Sequence, residues 1–522
     1  MNRTHERRWG ILAVLMLALL TIGIDNTILN VALPTLATDL EASSSQLQWI
    51  VEAYVLAFAG ALLTAGALGD RFGRRRALLG GLTVFGGASV AAAFVGSPAG
   101  LITLRAILGI GGAFIMPATL SILTHVFPEE ERAKAIGIWS SVWAIGIVVG
   151  PITGGWLLEH FWWGSVFLVN VPIAVAAIAA TIVLVPESSD PAEGRLDPVG
   201  AVLSTGGLTA LLYGIIQAPE HGWTTASTIT AFVAALILMA GFVVWESRRE
   251  DPMLDVSLFR DPRFSAASAA VTLVMFALVG GMFFLTQHLQ FVLGYTPLQA
   301  GLRLIPVAVA LAVAAPQSAA LAKRFGTRTV VAVGLATAAA GLLILSGASV
   351  DSGYGIVAAT MLVAGAGIGL AGTPATDSIM GAVPEGKAGV GSAVNDTTRE
   401  VGGALGIAVL GTVLSSAYTS VMGKQVSSLP GEAAEIAADS IGGAVHVAAA
   451  IGGTVGDQLL LAARTAFVDA MSTTVLVGAA VALVGAVVAF VYLPARDHDR
   501  ELDASTNGPA LDTVPEFLPA KA

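Results

Sequence analysis

Fourteen apolar runs of spanning length constrain this chain more than any other feature of its sequence. A membrane helix rises 1.5 Å per residue, so about 20 consecutive apolar residues cross a hydrocarbon core of about 30 Å. Such runs fall at roughly 10–36, 46–68, 77–96, 100–124, 135–158, 165–185, 198–217, 226–246, 265–292, 301–322, 329–348, 354–378, 390–417 and 470–493. Hydrocarbon offers no hydrogen-bond partner to an exposed backbone, so each run must be a helix, and the expected class is an all-α membrane protein. Composition agrees: of 522 residues 55% are hydrophobic and only 12% charged, where a soluble domain carries about 25%. The first run is far longer than the ~7–15-residue apolar core of a signal peptide and reads as an uncleaved helix.

Basic residues test the count, because Lys and Arg collect in cytoplasmic loops. With the N-terminus inside, 21 of the 26 Lys and Arg residues fall in cytoplasmic segments and only Lys424 and Arg464 in outer ones. Arg105, Arg303 and Arg399 lie in or at the ends of helices. An odd number of helices would scramble this alternation, so both termini are expected in the cytoplasm. Arg outnumbers Lys, and Ala and Gly abound, which hints at a GC-rich bacterial genome; the expected location is a bacterial cytoplasmic membrane. Cysteine is absent, which excludes disulfides and Cys-ligated metals. The net charge of −10 sits mostly in loops and termini and implies no particular partner.

A strongly basic loop, Gly66–Leu78, has an echo at Leu321–Thr329: Phe72-Gly73 recurs as Phe325-Gly326, 253 residues later. Pro117-Ala118-Thr119 recurs as Pro374-Ala375-Thr376 after 257 residues, and Pro128-Glu129 as Pro384-Glu385 after 256. Three matches at nearly one spacing mean that the chain is built twice, as secondary transporters are around a midplane site. The expected organisation is an N-terminal six-helix half (1–190), an inserted helix pair with a cytoplasmic linker (191–262) and a C-terminal six-helix half (263–495). The outer segment at 419–468, rich in Ala and Gly, is expected to be helical and to rest on the membrane surface or the outer mouth. The tail at 496–522 is polar and expected to be disordered.

Gly66-x-Leu68-Gly69-Asp70-Arg71-x-Gly73-Arg74-Arg75 resembles the signature loop of the major facilitator superfamily, with Gly69 in place of the more frequent Ala. Ile24-Asp25-Asn26-Thr27-Ile28-Leu29-Asn30-Val31-Ala32-Leu33-Pro34 is similar to the helix 1 signature of its fourteen-spanner drug:proton antiporters. Leu104-Arg105-x3-Gly109-x2-Gly112 resembles the helix 4 motif, whose buried arginine is implicated in proton coupling. Gly146-x3-Gly150-Pro151-x2-Gly154-Gly155 resembles the helix 5 antiporter motif of exporters. Its glycines at 146, 150 and 154 form a small-residue stripe that lets another helix approach closely. Together these motifs are those of the EmrB/QacA type of antiporter. The resemblance implies the major facilitator fold, and a latch between the halves made by Gly66, Asp70, Arg71, Gly73 and Arg74. It also implies export of small lipophilic cations, with protons as coupling ion and no other cofactor. Asp70 is expected near the N-terminus of helix 3, where a carboxylate is favoured.

Four acids lie inside helices built otherwise from Ala, Leu, Val and Gly: Asp25, Glu52, Asp396 and Glu400. Each costs on the order of 2.5–3.5 kcal/mol at the bilayer centre on insertion scales, which marks them as functional candidates. Asp25 and Glu52 have no basic residue nearby in sequence. They lie roughly 13 and 9 Å deep from the same side and are expected to face one cavity, where a dication would engage both. Asp396 and Glu400 stand at i, i+4 with Arg399 beside them. The i, i+3 spacing of Asp396 and Arg399 fits a structural ion pair as well as a coupling site, and Glu400 fits either the cavity or the inner interface. His288 reads as a cavity-lining or packed polar residue, without a His or Cys partner for a metal. Gly381-x4-Gly386-Lys387 is no phosphate loop, because Ala388 stands where Ser or Thr must bind magnesium. Gly367-x-Gly369-x-x-Gly372 lies within a helix and reads as a packing face. The chain is thus read as a monomeric multidrug exporter in the lipid bilayer, without enzymatic activity, nucleic acid or metal. A dedicated exporter of one metabolite or lipid and a non-transporting sensor are the alternative readings.

Overall fold

The computed structural model describes residues 7–40, 42, 44–189, 197–249, 252, 254–384, 387–426 and 429–493. The expected disordered tail at 496–522 lies outside them. Among the described residues there is no strand. The long helices are α1 (Arg8–Asp39), α2 (Ser44–Phe72), α3 (Arg74–Phe94), α4 (Pro98–Val126), α5 (Glu129–His160), α6 (Ser165–Leu184) and α7 (Pro198–His221). They continue with α8 (Ala226–Glu246), α9 (Pro262–Val292), α10 (Ile305–Phe325), α11 (Thr327–Leu345), α12 (Tyr354–Ala382), α13 (Ala388–Gln425) and α14 (Gly453–Tyr492). Thirteen of these are long and apolar enough to cross a membrane, and α5, with 32 residues, is the fourteenth long helix.

The internal duplication is visible in the packing. In the first six helices α1 packs on α5, α2 and α3 on α4, and α6 on α1 and α3. Eight helices later α9 packs on α13, α10 and α11 on α12, and α14 on α9 and α11. The most extensive crossings between these groups are α2 on α13 and α5 on α10, and each is the repeat of the other. Small residues allow the close crossings, since helices in lipid associate by packing rather than by water exclusion. A Cβ added to Gly111 would meet the Phe85 nitrogen at 3.0 Å, and one on Gly367, 256 residues later, would strike the Ala338 nitrogen. The 367–372 glycines are thus a packing face, as their place in a helix implied. Gly73 (φ 112°) and Gly326 (φ 85°) break the chain between α2 and α3 and between α10 and α11, in a conformation that favours glycine.

The inserted pair packs on itself and seats α7 against both α2 and α13. Asp197 caps α7, accepting from the Gly200 N–H at 2.8 Å and the Trp245 indole at 3.0 Å. Burial pushes the Asp197 carboxyl up, but these hydrogen bonds and Arg249 outweigh it and leave it below the ordinary carboxylate range.

The outer segment is indeed largely helical. α13 runs on to Gln425, short helices follow at Gly431–Asp439 and Ile441–Ile451, and α14 already begins at Gly453. Ile441 and Ala444 are buried in one cluster with Tyr418, Met422 and Phe467, so the segment folds onto the ends of α13 and α14. Arg464 donates to the Phe291 carbonyl at 2.9 Å and ties it to the π-helical turn His288–Val292 that ends α9.

Overpacking a close crossing costs about 1–3 kcal/mol. Gly367→Ala should therefore lower the melting temperature of the purified protein, whereas Gly80→Ala, whose added Cβ meets nothing within 4 Å, should not. Thermal unfolding in detergent checks both.

Candidate functional site

The site is organised by the faces of α2. Residues on a helix advance about 100° each, so Tyr54 and Glu52 point roughly 160° apart. Toward α4, Tyr54 is buried at 1% exposure and the Arg105 guanidinium stands 4.4 Å from its ring centroid. Gly109 and Gly112 of the helix 4 motif make this approach possible, because a side chain at either would strike Tyr54 or Phe58. Arg105 pairs with Asp25 of α1 at 2.5 Å and donates through Nε to the Ile50 carbonyl at 3.0 Å. Asp25, fully buried, also accepts from Asn170 Nδ2 of α6 at 2.9 Å.

This corrects two expectations. Asp25 lacks a basic neighbour in sequence, yet its partner arrives from 80 residues away. Asp25 and Glu52 do not share a wall either: Glu52 accepts from Gln217 Nε2 of α7 at 3.0 Å, on the seam that α2 makes with the inserted pair. Next to that seam Leu56 and Ala59 pack with Leu212, Ile215 and Ala408. The body of α2 separates the two acids.

One of the acids of α13, Glu400, comes close to the first cluster. Tyr54 lies within electrostatic reach of Asp25 and Arg105 in its own half and of Glu400 across the interface, so Glu400 belongs to the interior rather than the inner interface. Asp396 is fully buried and accepts from Asn395 Nδ2 at 3.1 Å and Ser392 Oγ at 3.4 Å. Asp396 and Arg399 form no ion pair. Arg399 turns away, donating to Thr376 Oγ1 at 3.5 Å, with its guanidinium 5.5 Å from the Trp139 ring of α5.

The signature loop holds the two halves at the end that carries the basic loops. Asp70 lies in the last turn of α2, not at the N-terminus of α3, and it serves the N-terminus of α13. One of its oxygens accepts from the Val390 N–H at 3.0 Å and the other from Arg74 Nε at 2.8 Å. A free N–H at a helix start favours an anion for the reason given for α3, applied to a helix 320 residues away. Gly66 is not in the turn but faces the Gly389 carbonyl, where a side chain would not fit. Gly73 makes the turn, and Arg71 stays beside Phe72, 5.4 Å from its ring. On the α5–α10 crossing, Lys323 donates to the Glu130 carbonyl at 2.6 Å.

The antiporter-motif glycines pack against α1 around the helix 1 signature. A Cβ on Gly146 would meet Gly23 at 2.9 Å, one on Gly154 would meet Ile28 at 2.7 Å, and Gly150 faces Thr27. Thr27 Oγ1 seals the crossing by donating to the Gly146 carbonyl at 2.9 Å. Pro151 looks the other way, toward Gly301. Gly402 and Gly406, 256 residues after Gly146 and Gly150, bring α13 equally close to α9. Sequence reading missed that pairing, and it missed Tyr54, Asn170, Trp139 and Thr376. Asn170 stands out as a polar residue in an apolar run, and Thr376 was in view as part of a repeat; Tyr54 and Trp139 carry no such signal. His288 is fully buried with neither ring nitrogen hydrogen-bonded, in keeping with a packed polar residue. Among the described residues no group of three or more His, Asp or Glu is placed to hold a metal ion.

Comparison with known proteins agrees with this architecture. Residues 15–407 match the Major Facilitator Superfamily. The multidrug efflux pump LfrA of Mycolicibacterium smegmatis is 40% identical over 488 residues, covering 93% of this chain and 96% of that one. The tetracenomycin C resistance and export protein of Streptomyces glaucescens is 35% identical, covering 95% and 93%. The methyl viologen resistance protein SmvA of Salmonella typhimurium is 35% identical, covering 88% and 93%. Among solved structures, the proton:xylose symporter XylE superposes with a TM-score of 0.59 at 15% identity, covering 94% of this chain and 96% of that one, a likeness of fold. The chain is a multi-pass membrane protein of the major facilitator superfamily, among relatives that export drugs.

Proposed function

We propose that this protein is a proton-coupled efflux antiporter that carries lipophilic cations out of the cell by alternating access. The observation that carries the reading is the buried Asp25–Arg105 pair, stacked on Tyr54, which itself lies within electrostatic reach of Glu400 across the interface. Buried carboxylates without water can exchange a proton for a cation, and two such groups on opposite halves can change their neighbourhood when the halves rock. Glu400 and Asp396 supply the acids of the second half. The latch of Asp70 on the start of α13 closes the side read as cytoplasmic, with the protein monomeric in a bacterial plasma membrane and both termini inside. Methyl viologen is a dication, so the named resistance of one relative supports a cationic substrate class. A dedicated exporter of one natural product is the second reading, supported by the tetracenomycin C export protein.

Everted vesicles with an imposed proton gradient separate the two. Ethidium or benzalkonium should collapse the gradient under the first reading and leave it intact under the second.

Breaking one side of a buried ion pair destabilises by about 3–5 kcal/mol, because the other charge is left unpaired. Asp25→Asn should abolish proton-driven ethidium efflux and lower thermal stability. The double variant Asp25→Asn/Arg105→Gln should recover most of the stability and remain inactive. Transport by the double variant at the wild-type rate would remove the pair from the mechanism.

Because Glu52 meets Gln217 rather than Asp25, we assign it to seating α7. Glu52→Gln should then weaken resistance to matched mono- and bis-quaternary compounds alike. A larger loss for the bis-quaternary compound would return Glu52 to substrate recognition.

A further inference from the structure

The two Pro-Ala-Thr repeats each anchor a polar network, and the networks are copies. In the first half Trp139 Nε1 donates to Thr119 Oγ1 at 3.1 Å. In the second half Thr376 Oγ1 donates to Asn395 Oδ1 at 3.0 Å. Trp139 and Asn395 are 256 residues apart and Thr119 and Thr376 are 257 apart, the spacing of the duplication. Arg399 joins the copies, touching Thr376 in its own half and lying over Trp139 of the other. Trp139 is ten residues into α5 and Arg399 eleven into α13, so both stand roughly 15 Å from the end closed by Asp70.

Arg399 is 8% exposed, its Nε has no hydrogen-bond partner, and the carboxylate best placed to take it is Asp396, three residues earlier on the same helix. In this closed arrangement Asp396 takes its hydrogen bonds from Asn395 and Ser392 instead. A cation over an indole face gains about 0.5–2 kcal/mol, enough to decide between two positions of one side chain. That contact crosses from one six-helix group to the other, so it exists only while the basic end is closed. Asp396 has no such dependence, since it moves with Arg399.

We infer that Arg399 changes partner with conformation: Trp139 and Thr376 hold it off Asp396 while the basic end is closed, and Arg399 pairs with Asp396 once the halves part there. The inference rests on the antiport reading and names how its second half is regulated. When Arg399 arrives, the O–H bond of a protonated Asp396 breaks, the proton passes to water on the open side, and the carboxylate keeps the electron pair against the guanidinium. Proton release is thereby confined to the state that faces the cytoplasm, as antiport requires. The charged groups within reach of Asp396 and Arg399 are each other and Glu400, all on α13, with Tyr54 of α2 beside Glu400.

Infrared difference spectroscopy of the purified, reconstituted protein tests this without reference to transport. The carboxylic C=O band of Asp396, identified by its loss in Asp396→Asn, is titrated in each variant. Trp139→Leu frees Arg399, so the band should vanish at a pH about one unit lower than in wild type, a tenfold change worth 1.36 kcal/mol. Trp139→Phe keeps a ring under the guanidinium and should leave the midpoint near that of wild type. In an Arg399→Gln background Trp139→Leu should cause no shift. Trp139→Met offers a longer, more flexible replacement, with the same expected shift, should the leucine variant not fold. An unmoved midpoint in Trp139→Leu or Trp139→Met, a shift that persists without Arg399, or no Asp396 band in wild type would each overturn the inference. If the midpoints move as stated but ethidium fails to collapse a proton gradient, it is the antiport reading that fails.

Discussion

A carboxylate and a guanidinium that leave water together must stay together, and the N-terminal half is assembled around that constraint. Asp25 and Arg105 reach each other only if α1 and α4 lie side by side at one depth, with Ile50 and Tyr54 of α2 closing one side and Asn170 of α6 another. The glycines of two motifs are what make such proximity possible. Gly109 and Gly112 let α4 reach α2, and Gly146, Gly150 and Gly154 let α5 reach α1. Motifs that look independent along the chain are thus the parts of one packing problem.

The second half solves the same backbone problem with different chemistry. Gly402 and Gly406 repeat the α1–α5 crossing between α9 and α13. No arginine repeats Arg105: the position 256 residues later is Met361. The cation of this half comes instead from α13 itself, as Arg399, and it is turned toward the other half. Duplicated backbones with unlike polar side chains give two unlike acid sites, which the proposed rocking motion would affect differently. Such asymmetry suits an exchanger, in which one site must fill as the other empties.

The inserted pair adds a further constraint. α7 touches α2 in one half and α13 in the other, the same two helices that Asp70 joins. Any separation of α2 from α13 at the basic end must therefore be absorbed by the α7 seam. Its apolar contacts around Leu56, Leu212 and Ala408 have no fixed direction and tolerate sliding better than hydrogen bonds. Of the polar ties there, Glu52 to Gln217 lies toward the opposite end, and Thr64 meets Thr205 at 3.3 Å nearer the basic one.

Fold class, helix number and duplication were legible in the sequence alone, because each rests on a local physical rule. Hydrocarbon demands about 20 apolar residues per crossing, basic residues mark alternate loops, and a duplicated chain repeats its turns at one spacing. The same rules misplaced what depends on partners. The extent of α13 and α14 was read short, since their outer turns are held by the Ile441–Ile451 helix rather than by lipid. Asp25 looked unpaired, because Arg105 is 80 residues distant and nothing local announces the contact. Asp70 was matched to the nearest helix start, whereas the one it caps belongs to α13, 320 residues on. Asp396 and Arg399, three apart, had the spacing of an ion pair, and a tryptophan from the other half decided otherwise. A sequence lists which charges must be compensated; which partner compensates each depends on helices that meet only in the folded protein.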